Sequence, residues 1–129
     1  MAHANEALVR TGFEAFGAGD MSRLDALFAD DAVWHASGTG VVSGDFVGKA
    51  AVFGSFALIP QETDAFSQEI HAILADDDHA VALVNATATR RGATATLAQV
   101  FVFHIEGGKV KEVWLTPFDQ AAADEFWRA

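Results

Sequence analysis

Apolar residues recur at helical spacing through the first half of the chain and alternate through the second. Val9, Phe13 and Phe16 fall on one face of a helix over residues 4–17, and Gly12 and Gly17 weaken it, so tertiary packing must hold it. Gly19 and Asp20 stop that helix and cap the next, because glycine tolerates the left-handed stop and aspartate accepts the orphan amides of a helix start. Leu24, Leu27 and Phe28 continue at helical spacing, Asp30-Asp31 is expected to break the helix, and Ala32-Val33-Trp34 to begin a strand. A glycine-rich loop over residues 37–48 leads to a third helix, residues 49–59, with Val52, Phe53, Phe56 and Ile59 in phase and Pro60 as its stop.

From Phe66 the period changes to two. Strands are predicted over 66–75, 79–90, 93–105 and 110–116, joined by turns at Asp76-Asp77-Asp78, Arg91-Gly92 and Gly107-Gly108, and residues 119–129 read as a short closing helix. Three helices followed by a meander imply an α+β fold in which a curved antiparallel sheet wraps around the helices and leaves a conical cavity. The closing helix would place Phe126 and Trp127 near the cone mouth. Gln99, Phe101 and Phe103 share one face of their strand and Val100 and Val102 the other, so this strand is apolar on both sides and hints at a second buried contact.

The run Ala18 to His35, AGDMSRLDALFADDAVWH, together with Gly107-Gly108-Lys109-Val110 and the Phe118-Asp119 ending, resembles the nuclear transport factor 2-like (NTF2-like) superfamily, in particular its SnoaL-like and ketosteroid isomerase-like branches. The resemblance covers nearly the whole chain. It implies a single cone-shaped domain over residues 1–129 and a homodimer formed through the sheet. It specifies a fold better than a reaction, because the scaffold hosts isomerases, cyclases, dehydratases, hydrolases and proteins without catalysis.

Composition narrows the partners. A length of 129 residues with 51% apolar content suits one globular domain. The formal net charge of −10, with no basic stripe, opposes nucleic acids and anionic lipid surfaces. The chain has no cysteine, which removes disulfides, thiolate nucleophiles and sulfur-ligated metals. The opening MAHANEALVR has neither the basic nor the apolar segment of a signal peptide, and no apolar run suffices to span a bilayer, so a cytoplasmic location is expected.

Candidate chemistry is sparse. His35, at the end of the first strand, is the leading general base, since imidazole titrates near neutrality. Strand alternation puts Trp34 and Ala36 on one face and Val33 and His35 on the other, so His35 reaches the cavity only if a bulge or the strand end re-aims it. Asp119, before an Ala-rich segment, reads as a helix cap and as a carboxylate that would orient His35. Gln99 needs a hydrogen-bond partner, which a ligand oxygen, a water or a backbone group would supply. Phe13, Phe16, Trp34, Phe53, Phe56, Phe101 and Trp114 are candidates for an aromatic lining, each also explained by ordinary core packing.

The five histidines show no metal-ligand spacing, Asp76-Asp77-Asp78-His79 reads as a solvated turn, and the glycines of residues 38–44 lack the dinucleotide-loop pattern. His71 and His104 are expected on the outer sheet face. The resemblance also exposes departures. The isomerase tyrosine would fall at Gly12, its aspartate base at Ala36 and its second acid near Phe101. The late histidine and aspartate of the polyketide cyclases would fall close to Gln99 and to Leu115 or Thr116.

The leading reading is a cone that binds a small, largely apolar molecule such as a ketone, polyketide or steroid-like ring, without a cofactor. Acid-base isomerisation, cyclisation or hydration would follow if His35 and Asp119 face inward and Gln99 holds a substrate oxygen. The rivals are a binding module without chemistry and an interaction dimer whose cone is filled by its own aromatics. A hollow of about 300 Å³ or more favours a ligand over a filled cone.

Overall fold

The computed structural model describes residues 3–129. Helices α1 (Ala4–Gly17) and α2 (Met21–Asp25) precede strands β1 (Phe28–Ala36) and β2 (Gly44–Val47) and helix α3 (Lys49–Glu62). Strands β3 (Ala65–Ala75), β4 (His79–Arg90), β5 (Ala93–Glu106) and β6 (Lys109–Pro117) follow, and helix α4 (Gln120–Phe126) closes the chain. The six strands form one open, curled sheet in the order β2-β1-β6-β5-β4-β3. All neighbours run antiparallel except β1 and β6, which are parallel. Helices α1 and α3 pack against the concave face.

Local chemistry explains the joints. Asp20 caps α2 by accepting from the Arg23 amide at 3.1 Å, after Gly19 takes a left-handed φ of +69°. Buried Asn5 donates from Nδ2 to the carbonyls of Asp76 (2.9 Å) and Asp77 (3.1 Å), fastening the start of α1 to the β3–β4 turn. Arg91 and Gly92 both have positive φ, +52° and +79°, which matches the twist of a tight hairpin between β4 and β5.

On β4 the inward positions are Ala82, Val84, Ala86, Ala88 and Arg90, all buried. Small residues there let the sheet curl closely beneath the helices. Arg90 ends the stripe with a cation that is only 4% exposed. Its Nε and Nη2 donate to the Glu62 carbonyl (3.2 Å) and carboxylate (2.9 Å). Nη1 donates to the carbonyls of Phe126 (2.8 Å) and Arg128 (3.0 Å), and the guanidinium lies 5.7 Å from the centre of the Trp127 ring. The ends of β4, α3 and α4 are thus tied together.

Two boundaries differ from the sequence expectation. Helix α2 ends at Asp25, and Phe28, Asp30 and Asp31 belong to β1. Phe28 is drawn into the strand because it is buried (5% exposed) against Phe53 and Phe56, while Asp31 meets Lys111 on β6 at 2.7 Å. Helix α3 runs past Pro60 to Glu62, where Arg90 satisfies the terminal carbonyl and carboxylate, so the missing proline amide costs only one bond in a final turn. The loop over residues 37–48 also contains β2, which pairs with β1.

Replacing Arg90 by leucine is expected to lower stability by about 3 kcal/mol, since it strands the Glu62 carboxylate and leaves several carbonyls unpaired. Urea unfolding of the variant against the parent protein measures this, and a loss below about 1 kcal/mol would mean the guanidinium is not the fastening it looks to be.

Candidate functional site

The concave face and the helices enclose a cavity of about 120 Å³. Helix α1 contributes Phe13 and Phe16 from its inward face, α3 contributes Phe56, and β1 contributes Trp34. Strand β5 contributes Gln99 and Phe101. Edge-to-face contacts lock these rings: Phe13 to Phe101 at 5.1 Å, Trp34 to Phe56 at 4.8 Å and Phe16 to Phe56 at 5.9 Å. The Trp127 side chain forms another part of the wall. It is held where the Val41 amide donates to the Trp127 carbonyl at 2.9 Å, and a side chain at Gly40 would come within 2.4 Å of the Trp127 Cβ.

Among the described residues, no side chain in this wall ionises near neutral pH. Its polar side chains are Ser55, Gln68 and Gln99, besides the indole N–H groups of Trp34 and Trp127, and Ser55 already donates to the Val52 carbonyl at 2.6 Å. Gln68 was missed at the sequence level. Its signal is the same as that of Gln99: a polar residue on an inward stripe of period two, here Phe66-Gln68-Ile70.

His35 stands outside this cavity. Register is continuous from Val33 to Ala36 on both sides of β1, and the bulge between β1 and β6 lies upstream, between Phe28 and Val33. Plain alternation therefore turns Trp34 inward and His35 onto the convex face. There its Nδ1 lies 2.7 Å from the Asp45 carboxylate and its Nε2 2.5 Å from that of Glu112, and the ring stacks on Trp114 at 5.7 Å. Hydrogen bonds to Asp45 and then Glu112 hold the imidazole pKa above its usual value, against the opposing effect of partial burial.

Asp119 is likewise remote. It caps α4, accepting from the Ala122 amide at 3.0 Å, and does not approach His35. Trp114 is 42% exposed on the convex face, and Phe53 packs behind the wall against Phe28 and Phe56 rather than lining the hollow. Of the residues proposed from sequence, Phe13, Phe16, Trp34, Phe56, Gln99 and Phe101 are brought together. Among the described residues no cluster of three or more metal-binding side chains occurs, and no helix is long and apolar enough to cross a membrane.

A SnoaL-like domain model matches residues 9–113. The chain belongs to the SnoaL-like family. Its fold is that of solved NTF2-like and cystatin-like structures. Bal32a, from a soil-derived mobile gene cassette, is 34% identical over 97% of both chains with a TM-score of 0.92. A protein of unknown function with a cystatin-like fold from Xanthomonas campestris is 26% identical over 95% of this chain and 97% of its own, with a TM-score of 0.87. An NTF2-like protein of unknown function from Burkholderia pseudomallei is 23% identical over 99% and 100%, with a TM-score of 0.88. No curated protein matches.

In this SnoaL-like domain, the raised His35 pKa fixes a sign for pH dependence. The folded state keeps the proton over a range where the unfolded chain has lost it, so the contribution is complete below about pH 6.5 and disappears as pH rises through the folded value. Urea midpoints measured between about pH 6 and pH 9 should fall with pH, and the His35→Gln variant should flatten that slope. An NMR titration placing the His35 midpoint at or below the free-histidine value would contradict this.

Proposed function

We propose that this SnoaL-like domain holds a small, uncharged, largely apolar molecule in its cone and that the cavity wall carries out no proton transfer. One observation carries the reading: the wall has no acid or base. The positions where the resemblance puts the isomerase tyrosine, aspartate base and second acid are Gly12, Ala36 and Phe101, and all three line the cavity. Those where it puts the cyclase pair include Gln99 and Leu115, which also line it. None of these side chains moves a proton at neutral pH.

The volume sets the scale. A cavity of about 120 Å³ is smaller than the ~300 Å³ of a typical drug-sized site. It is close to the roughly 150 Å³ apolar cavity known to accept benzene. A single ring fits; a fused steroid would need the phenylalanines to move. That argues against the larger rings considered from sequence; the hollow lies below the ~300 Å³ set for favouring a ligand over a filled cone, and the likeness in size to the benzene-sized cavity supports a single ring.

A homodimer through the convex face fits the same picture. Val81, Leu83, Val100, Val102 and Trp114 lie on that face, and Phe118, 68% exposed, extends the line of β6. Such a surface on an otherwise acidic chain favours burial against a second copy.

The binding test uses toluene, followed by saturation-transfer NMR. Wild-type protein should bind it, and Gly12→Leu should weaken binding at least tenfold while remaining folded, because a Cβ at Gly12 meets only ordinary contacts at 3.7 Å and 3.8 Å and leucine is the better helix former. Absence of binding to the wild type would sink the reading, as would ketone turnover that the same substitution abolishes. For assembly, sedimentation should give a dimer at micromolar concentration and a monomer for Val102→Glu; a monomeric wild type would exclude the interface.

A further inference from the structure

The wall's two unspent amides define what the ligand must carry. Gln68 on β3 pairs in register with Ala86 of β4, and Gln99 on β5 pairs with Val84 of β4, so both side chains rise from the concave face on opposite sides of the same strand. Two strand spacings and a two-residue offset along β4 put their backbones roughly 12 Å apart. Between them on β4, Val84 and Ala86 are buried in the core and are not part of the cavity wall. The Gln120 amide is engaged with Ser37 and Asp124, whereas Gln68 and Gln99 have no protein partner among the described residues and face the hollow.

Each amide offers a carbonyl acceptor and two N–H donors and stays neutral at every physiological pH. Around them the wall is aliphatic and aromatic, its other polar atoms being the engaged Ser55 hydroxyl and the donor-only indole N–H groups of Trp34 and Trp127, so a ligand without a polar group would leave the amide carbonyls without a donor from the ligand. A carboxylate would have to shed its water with no cation to receive it. Arg90, the buried cation behind Trp127, already spends its donors on Glu62, Phe126 and Arg128. The net charge of −10 further opposes an anion.

We infer that the cavity selects an uncharged, single-ring molecule bearing a hydroxyl or carbonyl group, with Gln68 and Gln99 as the specificity-determining pair that receives its oxygen. This rests on the cavity being a ligand site, as proposed above. The amides bind and orient; they transfer no proton. A site built to hydrogen-bond one oxygen discriminates against the isostere that lacks it far more strongly than a purely apolar pocket does.

Two isosteric pairs test the inference on the folded wild-type chain by competition NMR: phenol against toluene, and benzamide against benzoate. Phenol should bind at least as tightly as toluene even though its hydroxyl must leave water, and benzamide at least tenfold more tightly than benzoate. In Gln68→Leu and Gln99→Leu, phenol binding should weaken three- to tenfold per substitution while toluene binding holds or tightens. Wild-type binding of toluene more tightly than phenol, phenol binding that neither substitution weakens relative to toluene, or benzoate binding as tightly as benzamide would overturn the selectivity and leave the cavity reading standing. If none of the four probes binds, the cavity reading itself fails, and this inference with it. The wild-type comparisons decide the matter even if a variant does not fold.

Discussion

The enclosure of the cone depends on the Arg90 guanidinium. It sits at the end of the inward stripe of β4, where a cation is costly to bury, and it is stable there because four hydrogen bonds meet it, one of them to a carboxylate. Its carbonyl partners lie at the C-terminal ends of α3 and α4, where helix dipoles present negative charge. The guanidinium therefore solves two problems together: its own desolvation and the unpaired carbonyls of two helix ends. Through α4 it holds Trp127 against the cavity, and through Glu62 it holds the last turn of α3 beyond Pro60.

That arrangement divides the molecule chemically. The concave side is aromatic and aliphatic, with neutral amides and indole N–H groups among its polar atoms. The convex side carries the titratable cluster of His35, Asp45 and Glu112, beside the stacked His79 and His104 rings 5.4 Å apart. Because β-strand side chains alternate, one residue of register decides between these two environments. Trp34 and His35 are adjacent in sequence and belong to different faces of the protein.

Most of the fold was legible because its signals are local or periodic. Gly19-Asp20, Arg91-Gly92 and Gly107-Gly108 mark turns whose backbone requires positive φ, and the period-two stripes of β3 to β6 fix which faces turn inward. The aromatic wall followed from those stripes. What escaped were features set by long-range contacts: Phe28 joins a strand because Phe53 and Phe56 receive it, and α3 passes Pro60 because Arg90, distant in sequence, meets Glu62. Gln68 and Arg90 were in principle readable, each being a polar interruption of an inward stripe. His35 and Asp119 were favoured because their chemistry is versatile, yet alternation already argued for the convex face of His35 and capping for Asp119.

Family membership constrains the cavity more than it constrains the reaction. Gly12, Ala36 and Phe101, at or near which the resemblance would put an isomerase's acids, are in the wall of this domain. Gly12 and Ala36 open space, whereas Phe101 fills it and braces Phe13 and Trp34. The outcome is a hollow of about 120 Å³ with no acid or base side chain among the described residues of its wall. In an apolar wall of that size, differences in affinity between hydrocarbon rings amount to about 1 kcal/mol for each methylene, a weak basis for recognition. Discrimination must then come from the amides of Gln68 and Gln99, since a buried hydrogen-bonding group left unpaired costs roughly 1–3 kcal/mol and penalises every ligand that cannot meet it.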